Sequence, residues 1–479
     1  REVCGLIERL GFRPLSVLEP NCGVGRFLVA AGERFPSVSH LLGFEFKPDY
    51  VEAARERLRG WLPSTEIRIE QGDFFSVDWS PVLRSLPDPL LVLGNPPWVT
   101  NAALERLGSS NLPPKSNTQQ LRGIDAITGK SNFDISEWML IRELEWISDR
   151  DAALAMLCKT AVARKVLLHT WSHGQNPATA AAYRIDARSH FGAAVDACLL
   201  VICPGPRNGT HSCRVYPNLG ETRPAATFGY RSGRLVADVA AFDRVAHLEG
   251  TDQFRWRSGI KHDCSKVMEL TEDGGTYRNG MAEPVDIEDD YLFPMVKSAD
   301  LARGPVSRPH RRMLVTQRFV GEDTSSIRTR APRTWKYLLD HADLLNRRMS
   351  AVYRNRLCFS IFGVGDYSFA PWKVAISGFY RKLDFRIIGP RDGKPAVLDD
   401  TCYFLACESE QEASLLARLL NSSTAREFFS AFIFWDAKRP ITVDLLRRLD
   451  LQKLAREMGL EPCLQECFES RDQPARSGR

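Results

Sequence analysis

Short apolar runs recur through the first part of the chain, each followed by a stretch of helical character. Ser16 to Pro20 is one such run; it ends in a glycine-bearing turn, and Phe27 to Arg34 then reads as a helix. Leu41 to Phe46 predicts a second strand, and Asp49 to Trp61, opened by Asp49 and rich in Ala, Glu and Arg, a second helix. Glu66 to Glu70 alternates as a third strand. Leu90 to Gly94 is continuously apolar, the pattern of a strand buried on both faces. Ala152 to Cys158 and Val195 to Ile202 continue the series, with helical stretches between them. Strands alternating with helices predict a doubly wound α/β sheet whose ligands lie beyond the carboxyl ends of the strands.

The pattern breaks into Pro, Gly and Asn at Pro204 to Thr210. Residues 211–285 are polar and turn-rich and read as a connecting segment. From about Asp286 the chain becomes basic and aromatic, with Gly363 to Trp372 as a glycine-bearing loop and Ser409 to Asn421 as a clear helix. The tail after Glu461 is polar and expected to fray. The reading is therefore a sheet domain over 1–210, a connector over 211–285 and a mixed α+β domain over 286–479. A length of 479 residues suits such a division.

Composition narrows the class. The chain is 44% hydrophobic and 26% charged, as in ordinary globular proteins. Its longest apolar run, Ala193 to Cys203, is interrupted by Asp196 and falls short of the roughly 18 residues a membrane span needs. Arg1 to Leu10 carries charges throughout and has no apolar stretch of signal-peptide type. The first residue is Arg and not Met, which leaves open whether a segment upstream was cut off. Twelve cysteines with no Cys-x-x-Cys spacing read as the reduced thiols of a cytoplasmic protein, not as a zinc site. Net charge is +5, but residues 297–400 hold 20 basic and 10 acidic side chains, so the rest of the chain is acidic on balance. That asymmetry suits either a solvated basic face or a polyanionic partner.

The candidate chemistry sits at the strand ends. Glu19-Pro20-Asn21-Cys22-Gly23-Val24-Gly25-Arg26-Phe27 joins the first strand to the first helix, and its two glycines let backbone approach a ligand. Glu45, ending the second strand, suits ribose hydroxyls. Asp73, after the third, can accept from an exocyclic amine, and Phe74 can cover an adenine ring. Gly94-Asn95-Pro96-Pro97-Trp98 ends the fourth strand. Two consecutive prolines fix φ twice, remove two donors and hold the preceding residues extended. The Asn95 carboxamide oxygen and the Pro96 carbonyl can then accept both hydrogens of an aromatic amine, with Trp98 as a flat face for a base.

These motifs, in this order and spacing, resemble those of class I S-adenosylmethionine-dependent methyltransferases over roughly residues 15 to 203. The Asn-Pro-Pro-aromatic element and the C-terminal extension resemble the γ group of DNA adenine-N6 methyltransferases. The resemblance implies a Rossmann-like methyltransferase sheet and a C-terminal target recognition domain. It implies S-adenosylmethionine as cofactor, held by Glu19, Pro20, Asn21, Cys22, Gly23, Gly25, Phe27, Glu45, Asp73 and Phe74. It makes Asn95, Pro96, Pro97 and Trp98 catalytic, and Trp98 and Phe191 the stacking partners of a flipped base. Gly129 to Asp134 stands where the family has a Gly-Lys-aromatic-Asn/Asp element before a long helix. The segment that normally precedes the first strand and closes the cofactor pocket is almost absent.

Arg311, Arg312, Arg354, Arg356, Arg381 and Lys382 are the candidate double-stranded DNA contacts, interleaved with aromatic side chains. His169 and His173 have helical spacing but no acid at metal-motif distance, and Asp436-Ala-Lys438 lacks an upstream metal-binding acid, so no metal is expected. The expected activity is transfer of a methyl group to adenine N6 in duplex DNA, within a restriction-modification or defence system that can include a partner, and with no membrane role. An RNA or protein amine methyltransferase, or a DNA-binding modification and specificity subunit of a restriction complex, is the alternative.

Overall fold

A ten-stranded sheet organises the first part of the computed structural model. The structure describes residues 1–99, 134–174, 179–203, 211–251, 253–303 and 311–472. The strands are β1 (Ser16–Glu19), β2 (His40–Glu45), β3 (Glu66–Gln71), β4 (Leu90–Gly94), β5 (Ala152–Lys159), β6 (Thr179–Ile185), β7 (Ala197–Cys203), β8 (Ser212–Tyr216), β9 (Ala226–Arg231) and β10 (Arg234–Val236). Their order across the sheet is β3-β2-β1-β4-β5-β7-β6-β8-β9-β10. From β3 to β5 every pairing is parallel, and β7 runs antiparallel to both β5 and β6.

Burial explains which strands take the centre. Val17, Leu18, Leu91, Val92 and Leu154 are completely buried, as a strand with helices on both faces requires. The covering helices are α1 (Glu2–Arg9), α2 (Arg26–Arg34), α3 (Pro48–Leu58), α4 (Trp79–Arg84), α5 (Ile135–Ile147), α6 (Thr160–Ser172) and α7 (Ala187–Phe191). Ile7, Leu28, Ala31, Val51 and Leu58 from α1, α2 and α3 share one core with Val17, Leu41 and Leu91. The chain runs from β1 outward to β2 and β3, then returns to place β4 on the other side of β1. That reversal is a topological switch point, where loops leave the sheet in opposite directions and open a crevice.

The segment expected to connect two domains is itself folded into sheets. β8, β9 and β10 extend the first sheet, and the two compact units divide at Val239, not near residue 210. In the second unit a four-stranded sheet orders β11 (Arg257–Ser258), β20 (Cys402–Cys407), β17 (Trp372–Ser377) and β18 (Arg386–Ile388). A six-stranded sheet orders β14 (Pro284–Val285), β13 (Thr276–Arg278), β12 (Glu269–Asp273), β16 (Arg311–Leu314), β15 (Leu292–Val296) and β19 (Val397–Leu398). Helices accompany them, including Glu410–Leu420, whose first turn is capped by Ser409 Oγ accepting from Glu412 N–H at 3.2 Å. The mixed α+β expectation holds for this unit. The tail does not fray at Glu461: a helix runs from Glu461 to Asp472, with Leu464 buried. No helix among the described residues is long and apolar enough to cross a membrane.

Candidate functional site

The loop after β1 is shaped by backbone hydrogen bonds and two left-handed glycines. Gly23 and Gly25 have φ of 52° and 75°, which a residue with a Cβ adopts only under strain. Gly25 N–H donates to Cys22 O at 2.8 Å, closing the turn that starts α2, and Cys22 N–H donates to Phe44 O at 2.8 Å, tying the loop to β2. Nothing lies within 4 Å of where a Cβ on Gly23 would stand, so its backbone is open to a ligand. Glu45 Oε2 accepts from Gly23 N–H and Oε1 from Lys47 N–H, each at 2.9 Å. A carboxylate has about four acceptor positions, so both oxygens keep capacity for a ligand.

Glu19 lies directly beneath. It is 2% exposed, and its Oε2 has no hydrogen-bond partner among the described residues. Burial pushes its carboxyl well above the usual range; the Leu28 N–H opposes this and the Glu45 charge adds to it. Pro20 and Cys22 are buried supports of the turn, Asn21 is half-buried beside them, and Phe27 packs into the core. Asp73 accepts from Phe75 N–H at 3.1 Å, which sets the turn after β3. Phe74 does not lie open to a planar ligand as expected. It is 4% exposed and enclosed by Phe75, Trp79, Trp138 and Trp146, with ring centroids 5.3 to 6.2 Å away. Packing of α4 and α5 against this turn claims the ring for the core.

On the far side of the switch point, β4 delivers Asn95 to Trp98. A Cβ on Gly94 would stand 3.6 Å from Glu19 Cγ, so the two loops start side by side. Asn95 is exposed, and no described residue bonds its carboxamide or the Pro96 carbonyl. Trp98 is half-buried, and its Nε1–H donates to Leu157 O on β5 at 3.3 Å. Phe191, 45% exposed at the end of α7, meets Trp98 edge to face, with centroids 5.3 Å apart and planes at 72°.

Reading by motif passed over the residue that secures this loop. Lys159, the last residue of β5, donates from Nζ to Trp98 O at 3.0 Å and to Asp134 Oδ2 at 2.6 Å. Asp134 is buried and caps α5, accepting from Ser136 N–H at 3.2 Å and from its hydroxyl at 2.5 Å. Ile135 N–H donates to Val99 O at 3.0 Å. The only advance signal was Asp134 itself, the last residue of the Gly129 to Asp134 element; Gly129 to Phe133 lie outside the described residues.

In the second unit the basic candidates separate. Arg311 pairs with Asp300 at 3.2 Å, and Arg312, mostly buried, is committed to Asp392. Arg354, Arg356, Arg381 and Lys382 are exposed, and none forms an ion pair among the described residues. Gly363 to Trp372 is packed, with Val364, Ser368 and Ala370 buried, so it does not project as a reading loop. The His169 and His173 rings lie tilted against each other with centroids 4.1 Å apart, and no described cluster of three His, Cys, Asp or Glu side chains could hold a metal.

A switch point at β1 and β4, with an antiparallel β7 inserted beside β5, defines a Rossmann-like methyltransferase fold. The solved structure of MmeI, a type IIL restriction-modification enzyme in complex with DNA, superposes with a TM-score of 0.54 at 13% identity, covering 99% of this chain and 69% of that one. No family model matches the chain. M.NspV, a type II methyltransferase of Nostoc sp., is 45% identical over 456 residues, which is 95% of this chain and 95% of that protein. The chain belongs to the type II methyltransferases, and its cofactor is S-adenosylmethionine. The site fits that cofactor: an open Gly23 backbone leaves room for a ligand, and a buried Glu19 oxygen without a partner among the described residues suits one bearing hydrogen-bond donors.

Proposed function

We propose that this protein methylates N6 of adenine in duplex DNA, with the γ-group arrangement of motifs. The observation that carries the reading is a pair of acceptors, Asn95 and Pro96, that no described residue bonds, at the end of β4 beside the Glu19 to Gly25 loop. When bound, S-adenosylmethionine supplies an electrophilic methyl group. Glu19, Gly23, Gly25 and Glu45 hold the cofactor around the first loop, and Asp73 accepts from its adenine amine. Asn95 Oδ1 and the Pro96 carbonyl accept the two hydrogens of the target amine and turn its lone pair towards the methyl group. This places the work in positioning and in fixed dipoles.

The target atom lies inside a duplex, so the base must leave the stack. Trp98 and Phe191 are its partners. Their edge-to-face contact leaves no parallel slot between the rings, so Phe191 swings away as the base enters. MmeI, of the same fold, was solved with DNA, which supports DNA as the substrate. The setting is restriction-modification, in which methylation shields a site from a partner nuclease.

The test is incubation with methyl-labelled cofactor and plasmid DNA, followed by nucleoside analysis. Label in N6-methyladenine is expected. Label in N4-methylcytosine would overturn the base assignment, and label only in added RNA or protein would overturn the DNA reading.

A further inference from the structure

The loop that the glycines at 363 and 365 suggested is packed, whereas a neighbouring segment stands free. From Leu344 to Gly365 the chain carries four arginines and no acid. Within it Met349 is 91% exposed, and Val352 and Leu357 are exposed as well. Arg347, Arg354 and Arg356 are exposed among them. Burial therefore gives Met349 no part in holding its own unit together, and Arg347, Arg354 and Arg356 around it form no ion pair among the described residues.

The base of the segment is rigid. Arg348 lies over the Tyr353 ring at 3.7 Å and donates to Leu345 O and Ser360 O, each at 2.7 Å. The Tyr353 hydroxyl donates to Lys261 O at 3.0 Å. Thr316 Oγ1 donates to Phe359 O at 2.7 Å, holding the exit. One arginine is thus spent on holding the loop, while the other three face solvent.

We propose that Arg347 to Leu357 is the element of the C-terminal unit that enters a DNA groove. Met349 acts as an apolar wedge at a base step, and Arg347, Arg354 and Arg356 lie on phosphates. The inference rests on the reading of the protein as a DNA methyltransferase and adds the surface by which it grips the duplex. Charge complementarity selects the occupant: a segment with three exposed arginines that form no ion pair among the described residues, and with no acid of its own, suits a polyanion, and apolar side chains of this size are the ones that partly unstack base steps.

The experiment uses the full chain and two readouts that need no knowledge of the recognition sequence. Binding to a random-sequence 30-base-pair duplex is measured across a salt series, and unwinding is read from the topoisomers of a closed plasmid relaxed in the presence of the protein. Replacing Arg347, Arg354 and Arg356 together by Ala should lower the slope of log affinity against log salt by about 2.7, at roughly 0.9 per phosphate contact. Met349→Ala should keep the salt slope and abolish most of the topoisomer shift. An unchanged salt slope in the triple variant would overturn the proposal while leaving DNA methylation standing, because the parent would still bind and label the plasmid. A topoisomer shift equal to the parent's in Met349→Ala would overturn the wedge. A parent protein that neither binds nor labels DNA would instead refute the reading on which the proposal rests, and preferential binding to anionic vesicles would assign the surface to a membrane.

Discussion

Lys159→Met tests whether the Asn95 to Trp98 loop works as a positioned device. Methionine keeps much of the stem but removes the ammonium that bridges Trp98 O and Asp134 Oδ2. Breaking a buried ion pair from one side costs about 3–5 kcal/mol. Here the penalty is smaller: Asp134 keeps two hydrogen bonds from Ser136, and the Lys159 side chain is 25% exposed. A stability loss of about 2 kcal/mol follows. The effect on chemistry should be larger in proportion. A shift of about 1 Å in a positioning group costs on the order of a hundredfold. Two other anchors remain, Trp98 Nε1–H to Leu157 O and Ile135 N–H to Val99 O, so kcat should fall by about ten- to a hundredfold. Cofactor affinity should not change, because the Glu19 to Gly25 loop belongs to β1. Steady-state methyl transfer into plasmid DNA, calorimetric titration with S-adenosylmethionine and thermal melting measure the three quantities separately. Lys159→Arg, which keeps the charge, should recover most of the turnover. A folded Lys159→Met protein with turnover within about twofold of the parent would refute the reasoning.

Asn95→Ala should cost at least about a hundredfold in turnover with the fold intact, the scale of losing one well-placed polar group, and single-turnover kinetics would show it. Gly23→Val places a branched side chain at a positive φ, and Glu45→Ala removes the acceptor that holds the Gly23 N–H; both should weaken cofactor binding in a calorimetric titration and leave DNA affinity at fixed salt unchanged. Glu143, buried on α5 with both oxygens unpartnered among the described residues, is pushed up to about 8 by desolvation. The folded state then holds a proton that the unfolded state loses first, so stability is full below about pH 4.5 and falls as pH rises to about 8, by on the order of 5 kcal/mol. Glu143→Gln should abolish that decline in melts at pH 5 and pH 9, and an equal decline in both proteins would refute it.

Central strands were legible because burial on two faces forces a continuous apolar run. Leu90 to Gly94 therefore appears in the sequence with the bounds it has in the sheet. Strands with one wet face were not legible. In β8, Cys213 and Tyr216 are buried while Arg214 is exposed, so the segment reads as polar until its partners β6 and β9 are known. α1 was hidden in the same way, because Glu2, Glu8 and Arg9 flank the apolar face formed by Val3, Cys4, Leu6 and Ile7. The aromatic beside Asp73 shows the limit for site residues. Position along the chain put Phe74 next to an acid of the right kind, but only packing decides that its ring faces Trp79 and Trp146.

The same limit explains why the Asn-Pro-Pro-Trp loop was readable and its clamp was not. An acceptor pair meant for an amine has to be rigid and yet unbonded, and ordinary loops obtain rigidity by bonding their own carbonyls. Two prolines remove the donors that would quench Asn95 and Pro96 locally, and that solution is written in consecutive residues. Rigidity must then come from outside the acceptors. The structure supplies it downstream, at Trp98 and Val99, from Leu157 and Lys159 on β5 and from Ile135 on α5. Lys159 is separated from Trp98 by 61 positions, so no local pattern encodes the contact. Under the proposed function, dividing the task this way would let the clamp fix the acceptors without occupying them, and β5 would then be as necessary to the reaction as the strand that carries the motif.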